Sequence, residues 1–297
     1  MSLTLKRAVM AVLGILGALM LWPILLMVQR AQAAFPSYLV FTLSQGICLG
    51  LVFGALFGSF EGIVVSSRSK AFRGLGFGAL FGAAAGAAGV LAGQLFLFLA
   101  GGALFRSNSS RLGPGLAAAN GMAWAIAGTF LAMTEGLRAR SGRKLLVGLL
   151  GGLAGGLIGG AILSALQVLA PGGKWSLLAG LAAFGFLLTL FYSLFENRFQ
   201  AGTLKLLNGP LKGKEYPVVS RKLTVGTDAS CDIVLAGYPG VRPLHATVHL
   251  EKGRVYIRPA GPDAGVLVND GPARDAALRP EDVLAAGKAK FLYGYFA

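Results

Sequence analysis

Acidic residues are almost missing from the first two-thirds of this chain. Before Gln200 only Glu61, Glu135 and Glu196 occur. Soluble domains carry both charge signs throughout, so this stretch is excluded as an ordinary soluble fold. Cysteine is scarce as well. Cys48 lies in an apolar run and Cys231 in the later, more polar part, and two such residues cannot build a disulfide framework. The two histidines, His245 and His249, lack the spacing of a zinc site with the single nearby cysteine. The glycine runs lack the Lys-Ser/Thr of a P-loop, no nucleophile stands beside a base, and no carboxylates are paired for acid–base work. These absences point away from an enzyme, and no cofactor or metal is expected.

What is present is grease and glycine. Of the 297 residues, 55% are hydrophobic, 13% are charged and 45 are glycine, giving a mean hydropathy of +0.68. The formal net charge is +15. On a soluble protein that would suggest nucleic acid. Here much of the excess sits between apolar segments, where Lys and Arg set membrane topology, so no nucleic-acid partner is expected. After Gln200, Asp and Glu return at ordinary frequency. The chain therefore reads as a polytopic membrane domain over residues 1–199 and a soluble domain over 200–297.

A spanning helix needs about twenty apolar residues. Six segments qualify, roughly 8–28, 38–60, 75–104, 115–134, 145–170 and 175–195. Basic residues alternate along the loops. Lys6 and Arg7 precede the first span, Arg68, Lys70 and Arg73 follow the second, and Arg138, Arg140, Arg143 and Lys144 follow the fourth. The other loops carry Arg30, then Arg106 and Arg111, then Lys174. The richer side is cytoplasmic by the positive-inside rule, which puts both termini and the soluble domain in the cytosol. The "AQAA" at 31–34 resembles a signal-peptide cleavage site, but the apolar run before it exceeds the usual length and reads as a retained helix. Either way the C-terminal domain stays inside.

A repeat underlies these segments. "GLVFGALFG" (50–58) is echoed by "GLGFGALFG" (74–82), and the 26 residues from Glu61 align with those from Glu135. Each even-numbered span ends in a glutamate, in "SFEG", "MTEG" and "LFEN". The expected arrangement is three helical hairpins in parallel repeat. Glycines recur every fourth residue: Gly46, Gly50, Gly54, Gly58 and Gly62, then Gly74, Gly78, Gly82 and Gly86, then Gly148, Gly152, Gly156 and Gly160. Such spacing bares a ridge on one helix face and lets backbones approach. The ridge slants, which suits helices that cross at an angle. Tight packing, including a homo-oligomer, is one use of it. A pore lined by glycine backbone is the other, but the helix interiors offer only uncharged polar groups, mainly Ser44, Gln45, Gln94, Asn120, Thr129, Ser164, Gln167 and Thr189. The three glutamates read as solvated or interfacial ion pairs with Arg68, Arg138 and Arg198.

The tail breaks into short alternating runs with turn residues between them. "TLKLL" (203–207), "YPVV" (216–219), "KLTVG" (222–226), "DIVLA" (232–236), "HATVHL" (245–250), "RVYIRP" (254–259), "VLVN" (266–269) and "KFLYGYF" (290–296) are the candidate strands. This pattern predicts a β-sandwich. Only "ENRFQAG" (196–202) separates it from the last helix, which keeps it near the lipid bilayer, with Arg198 and Lys205 available to anionic headgroups.

The run "TVGTDASCDIVLAGYPGVRPLHATVHLEKGRVYIRP…GVLVNDGPA…LRPEDVL" resembles the forkhead-associated (FHA) family over about the last ninety-five residues. The whole chain is similar to bacterial proteins that join Gly-rich helical hairpins to a C-terminal FHA domain. The resemblance implies a phosphothreonine-binding sandwich whose loops at one end hold a peptide. The family pattern is Gly-Arg, then Ser-Arg-x-His, then Asn-Gly. Gly226, His245 and Asn269 match positions that shape the loops. Thr227, Arg242 and Pro243 stand where the phosphate-facing Arg, Ser and second Arg are expected. One to three charge-assisted contacts to phosphate are thereby lost. Arg242, helped by Arg221 and Lys222, could grip phosphate in altered geometry. Alternatively the domain binds a protein by shape, and the balance of lost contacts favours this. The expectation is a bacterial inner-membrane adaptor that recruits a cytosolic protein. A channel or transporter with a regulatory FHA-like domain is the alternative.

Overall fold

The structure is a computed structural model that describes residues 3–65, 68–106, 114–138, 141–218, 222–251 and 253–294. Its six long helices are α1 (Leu3–Arg30), α2 (Tyr38–Val65), α3 (Arg68–Arg106), α4 (Pro114–Arg138), α5 (Gly142–Leu169) and α6 (Lys174–Arg198). All except α4 are long and apolar enough to cross a membrane. In a lipid environment each backbone N–H and C=O needs an internal partner, which an unbroken helix supplies. The helices therefore run on past the apolar segments read from the sequence. Arg30, Arg68, Arg106, Arg138, Lys174 and Arg198 all lie at helix ends.

The chain divides into two compact units. One comprises Arg7–Glu61 and Ala71–Phe195, and the other Met1–Lys6, Gly62–Lys70 and Glu196–Ala297.

Within the helical unit the glycines decide which helices touch. A methyl added at Gly46, Gly50, Gly54 or Gly58 of α2 would strike the carbonyl oxygen of Gly86, Gly82, Gly78 or Gly74 of α3, respectively. The two ridges thus face each other as a lengthwise seam over four glycine pairs, not as a single crossing point. The seam also joins α2 to α3, across the boundary between the first two expected hairpins. α4 packs extensively along α5, again across a hairpin boundary. There Gly148, Gly152, Gly156 and Gly160 meet Ala132, Thr129 with Gly128, Trp124 with Ala125, and Trp124. A second ridge on α5, Gly151, Gly155 and Gly159, meets the backbone of Tyr192, Leu188 and Phe184 on α6.

Among the described residues the other unit holds eleven short strands in two sheets. They are β1 (Thr203–Leu206), β2 (Glu215–Pro217), β3 (Lys222–Gly226), β4 (Ile233–Val234), β5 (Ala246–Glu251), β6 (Arg254–Pro259), β7 (Val266–Val268), β8 (Gly271–Pro272), β9 (Ala276–Ala277), β10 (Val283–Ala286) and β11 (Ala289–Gly294). One sheet has the order β2-β1-β11-β10-β7-β8 and the other β4-β3-β5-β6-β9. All pairs are antiparallel except β3 with β4. Alternate residues point inward, as the two-residue period requires. Leu204, Leu206, Val225, Val248, Ile257, Val266, Leu284 and Phe291 are buried in the shared core. Strands β8, β9 and β10 had no strand signal in the sequence. Val283, Leu284 and two alanines become β10 because β7 and β11 flank them on either side. Parts of two expected strands, residues 219 and 295–296, lie outside the described residues.

Candidate functional site

Three loops meet at one end of the sandwich. The first follows β3, the second precedes β5, and the third joins β6 to β7. Gly226 closes β3 where a side chain cannot fit, because a methyl there would strike the Pro243 carbonyl oxygen. The next two backbone amides then bond across to the second loop. Thr227 N–H donates to the Arg242 carbonyl at 3.0 Å and Asp228 N–H to the Pro243 carbonyl at 3.1 Å. Cys231 Sγ also donates to the Pro243 carbonyl, at 3.2 Å.

His245 ties the second loop to the third. It is 2% exposed, and a buried imidazole needs partners at both nitrogens. Its Nδ1 accepts from the Arg242 backbone N–H at 3.3 Å. That fixes the proton on Nε2, which donates to the Gly265 carbonyl at 3.1 Å. The His245 backbone is satisfied by Val225 and Ala260. A neutral imidazole thus holds the loops at both edges.

The electrostatics of this end are mixed. The Arg242 guanidinium lies 3.4 Å from Oδ2 of Asp263, on the third loop, and both side chains are exposed. The Asp228 carboxylate accepts from the Ser230 backbone N–H at 2.7 Å. That bond, with a second from the Ser230 side chain, holds Asp228 below the usual carboxylate range. Two carboxylates, Asp228 and Asp263, therefore stand on the loops of this end, where Thr227 and Pro243 replace the arginines of the family pattern. Arg221 lies outside the described residues. Lys222 is exposed on β3, whose other end, Gly226, joins the loop cluster.

Gly226, Thr227, Arg242 and His245 come together at this end. Asn269 does not join them. It follows β7, whereas Gly265, the contact of His245, precedes it. The intervening three-residue strand spans about 10 Å. Asn269 and Asp270 form the tight turn between β7 and β8, with φ of 51° and 64°. Positive φ at both central residues is the hairpin geometry that Asn and Asp tolerate. The Asn269 side chain donates to Asp282 Oδ1 at 2.8 Å and accepts from Val283 N–H at 2.8 Å. Asn269 is thus a fastener between two strands and not part of the loop cluster. Asp263 and Gly265 are the members that sequence reasoning missed, since "GPDAG" reads only as a turn.

In the helical unit, Glu135 differs from its expected solvated state. It is buried and paired with Lys144 of α5 at 3.2 Å, with 6% of each side chain exposed. Lys144 follows the Ser141 N-cap, whose hydroxyl accepts from the Lys144 backbone N–H at 3.4 Å. Packing of α4 on α5 encloses both groups. The side chains of Glu61 and Arg138 lie outside the described residues. Among the described residues no group of three or more His, Cys, Asp or Glu could hold a metal.

Residues 205–294 match the family model described as the inner membrane component of T3SS, cytoplasmic domain. Among solved structures the chain is similar to an FHA domain from a structural and functional analysis of phosphothreonine-dependent interactions, at 20% identity over 32% of this chain and 97% of that one, with a TM-score of 0.30. It is also similar to the FHA domain of the CT664 protein from Chlamydia trachomatis, at 28% identity over 32% and 98%, TM-score 0.30. The FhaA FHA domain complexed with the intracellular domain of Rv3910 aligns at 21% identity over 31% and 98%, TM-score 0.29. No curated protein matches the chain. The C-terminal unit is an FHA-like β-sandwich, joined to an N-terminal region of apolar helices.

Proposed function

We propose that this chain is a multi-pass adaptor of a bacterial cytoplasmic membrane, with a cytosolic FHA-like domain that recruits a protein partner by shape and not by phosphothreonine. The alternation of basic loops supports the cytosolic orientation, as does the match to a domain described as the cytoplasmic part of an inner membrane component. The observation that carries the loss of phosphate reading is the pairing of Arg242 with Asp263. A phosphate dianion would have to displace that carboxylate and approach Asp228 as well. Like charges at such range oppose binding. The loops themselves remain braced by His245, so a partner surface persists without a phosphate clamp.

The test is fluorescence polarisation of the full chain in nanodiscs against phosphothreonine peptides and their unphosphorylated twins. Native protein is expected to show no phospho-selectivity. Thr227→Arg with Arg242→Ser, combined with Asp263→Asn, should regain some of it. Each restored charge-assisted contact is worth roughly 1.5–3 kcal/mol, or more than tenfold in affinity. Phospho-selective binding by native protein, weakened by Arg242→Ala, would overturn the proposal and make Arg242 the phosphate contact.

A further inference from the structure

The uncharged polar residues scattered through the helices converge. Gln29 of α1, Gln45 of α2, Gln94 of α3, Asn120 of α4 and Gln167 of α5 line one cavity of about 260 Å³. Two leucines from the N-terminal half of α6 complete the wall, so every helix of the bundle contributes. Trp124, whose ring packs on Phe184 at 5.0 Å centroid distance, also lines the cavity. The lining comes from the C-terminal parts of α1, α3 and α5 and the N-terminal parts of α2, α4 and α6. The cavity therefore sits at one end of the bundle, away from the end of α6 that runs on into β1.

No residue in the lining carries a charge. Among the described residues, none of the five carboxamides makes a side-chain hydrogen bond to another part of the protein. Each offers two donors and two acceptor lone pairs. Gln45, Gln94 and Asn120 are half-buried and Gln29 and Gln167 exposed, so each carboxamide stays accessible to a ligand, and nothing in helix packing requires them there, since glycine and alanine form the seams. Their separate positions on different helices show a pocket built by the tertiary fold. The volume corresponds to about nine waters, close to the lower bound of small-molecule pockets.

We infer that this cavity binds an uncharged polyhydroxyl group of about monosaccharide size. Carboxamides donate and accept at once, which matches neighbouring hydroxyls on one carbon chain. The Trp124 ring covers the C–H face of such a compound. Ions are disfavoured because no side chain offers a counter-charge. The polyhydroxyl group could be free in solution or carried on a lipid headgroup, since the chemistry at the cavity is the same.

Trp22 and Trp175 stack on each other at 5.7 Å, and replacing both with Phe leaves Trp124 as the sole tryptophan reporter. The full chain carrying these changes, in phosphatidylcholine nanodiscs, would be titrated with glycerol, myo-inositol, glucose and mannose, with gluconate and glucosamine as charged controls. A parallel set of discs would contain a glucosyl diacylglycerol. Saturable change in Trp124 emission with at least one neutral probe, and none with its charged counterpart, is the expected result. A response only in the glycolipid discs assigns the site to a headgroup, and a response to soluble probes assigns it to a free solute. Asn120→Leu and Gln94→Leu should each weaken binding about tenfold. Gln94→Asn keeps the chemistry, should stay within a few-fold of native, and reports that the fold survives substitution there. Absence of any saturable change at ~10 mM, well above a millimolar Kd, overturns the inference and leaves a water-filled void. So does a response that both leucine variants retain undiminished.

Discussion

Two glycines one turn-half apart on α3 should respond in opposite directions to the same substitution. A Cβ at Gly78 would lie 2.9 Å from the Gly58 Cα and 3.0 Å from the Gly54 carbonyl carbon, with the Gly54 carbonyl oxygen nearer still. These are backbone atoms, so they cannot swing aside. α2 and α3 must part by roughly half an ångström or more, which forfeits a quarter or more of the dispersion attraction at the flanking glycine pairs. Overpacking of this kind costs about 1–3 kcal/mol. Against it stands the conformational gain of about 0.5–1 kcal/mol for Gly→Ala in a helix. Gly78→Ala should therefore lose on the order of 1–2 kcal/mol. A Cβ at Gly76 meets nothing within 4 Å, so Gly76→Ala keeps the gain alone and is neutral to stabilising. Equilibrium unfolding in mixed micelles with increasing SDS, followed by tryptophan emission, compares the two. Equal shifts for both variants, or stabilisation by Gly78→Ala, would refute the seam.

Burial pushes the Tyr216 phenol well above its ordinary value, and the nearby Tyr238 adds to the shift. Its hydroxyl has no hydrogen-bond partner among the described residues. Stability tied to Tyr216 is whole below about pH 10, the ordinary tyrosine value. Above it the unfolded chain releases a proton that the folded chain keeps, so stability falls as pH rises. Tyr216→Phe should remove this alkaline loss and leave stability at neutral pH equal or higher by up to ~1 kcal/mol, which urea melts at several pH values check. Neutralising Glu135 with Glu135→Gln removes the carboxylate charge 3.2 Å from the buried Lys144 ammonium and should destabilise the fold by up to about 3–5 kcal/mol. Adding Lys144→Met should recover most of that loss, and SDS unfolding of the single and double variants measures it.

The local periods of the sequence separated long helices from short strands. Long apolar runs made helices because a membrane leaves the backbone no other partner, and β3 and β6 were legible from alternation and turn residues. The four-residue glycine rhythm showed that ridges exist, because spacing along one helix fixes its face. Only the tertiary structure decided what those ridges meet. Gly54 lies on Gly78 of another repeat, and α5 carries a second ridge at Gly151, Gly155 and Gly159 that no repeat alignment marked. β10 exists because β7 and β11 flank it, not because its alanines favour strands. Asn269 matched a motif in sequence, yet the short strand β7 carries it away from His245 and into a turn fastened by Asp282. Asp263 faces Arg242 across 21 residues of chain, and the five carboxamides meet from five helices. Contacts between distant segments depend on how whole elements dock, and a one-dimensional pattern reports only the face each element has to offer.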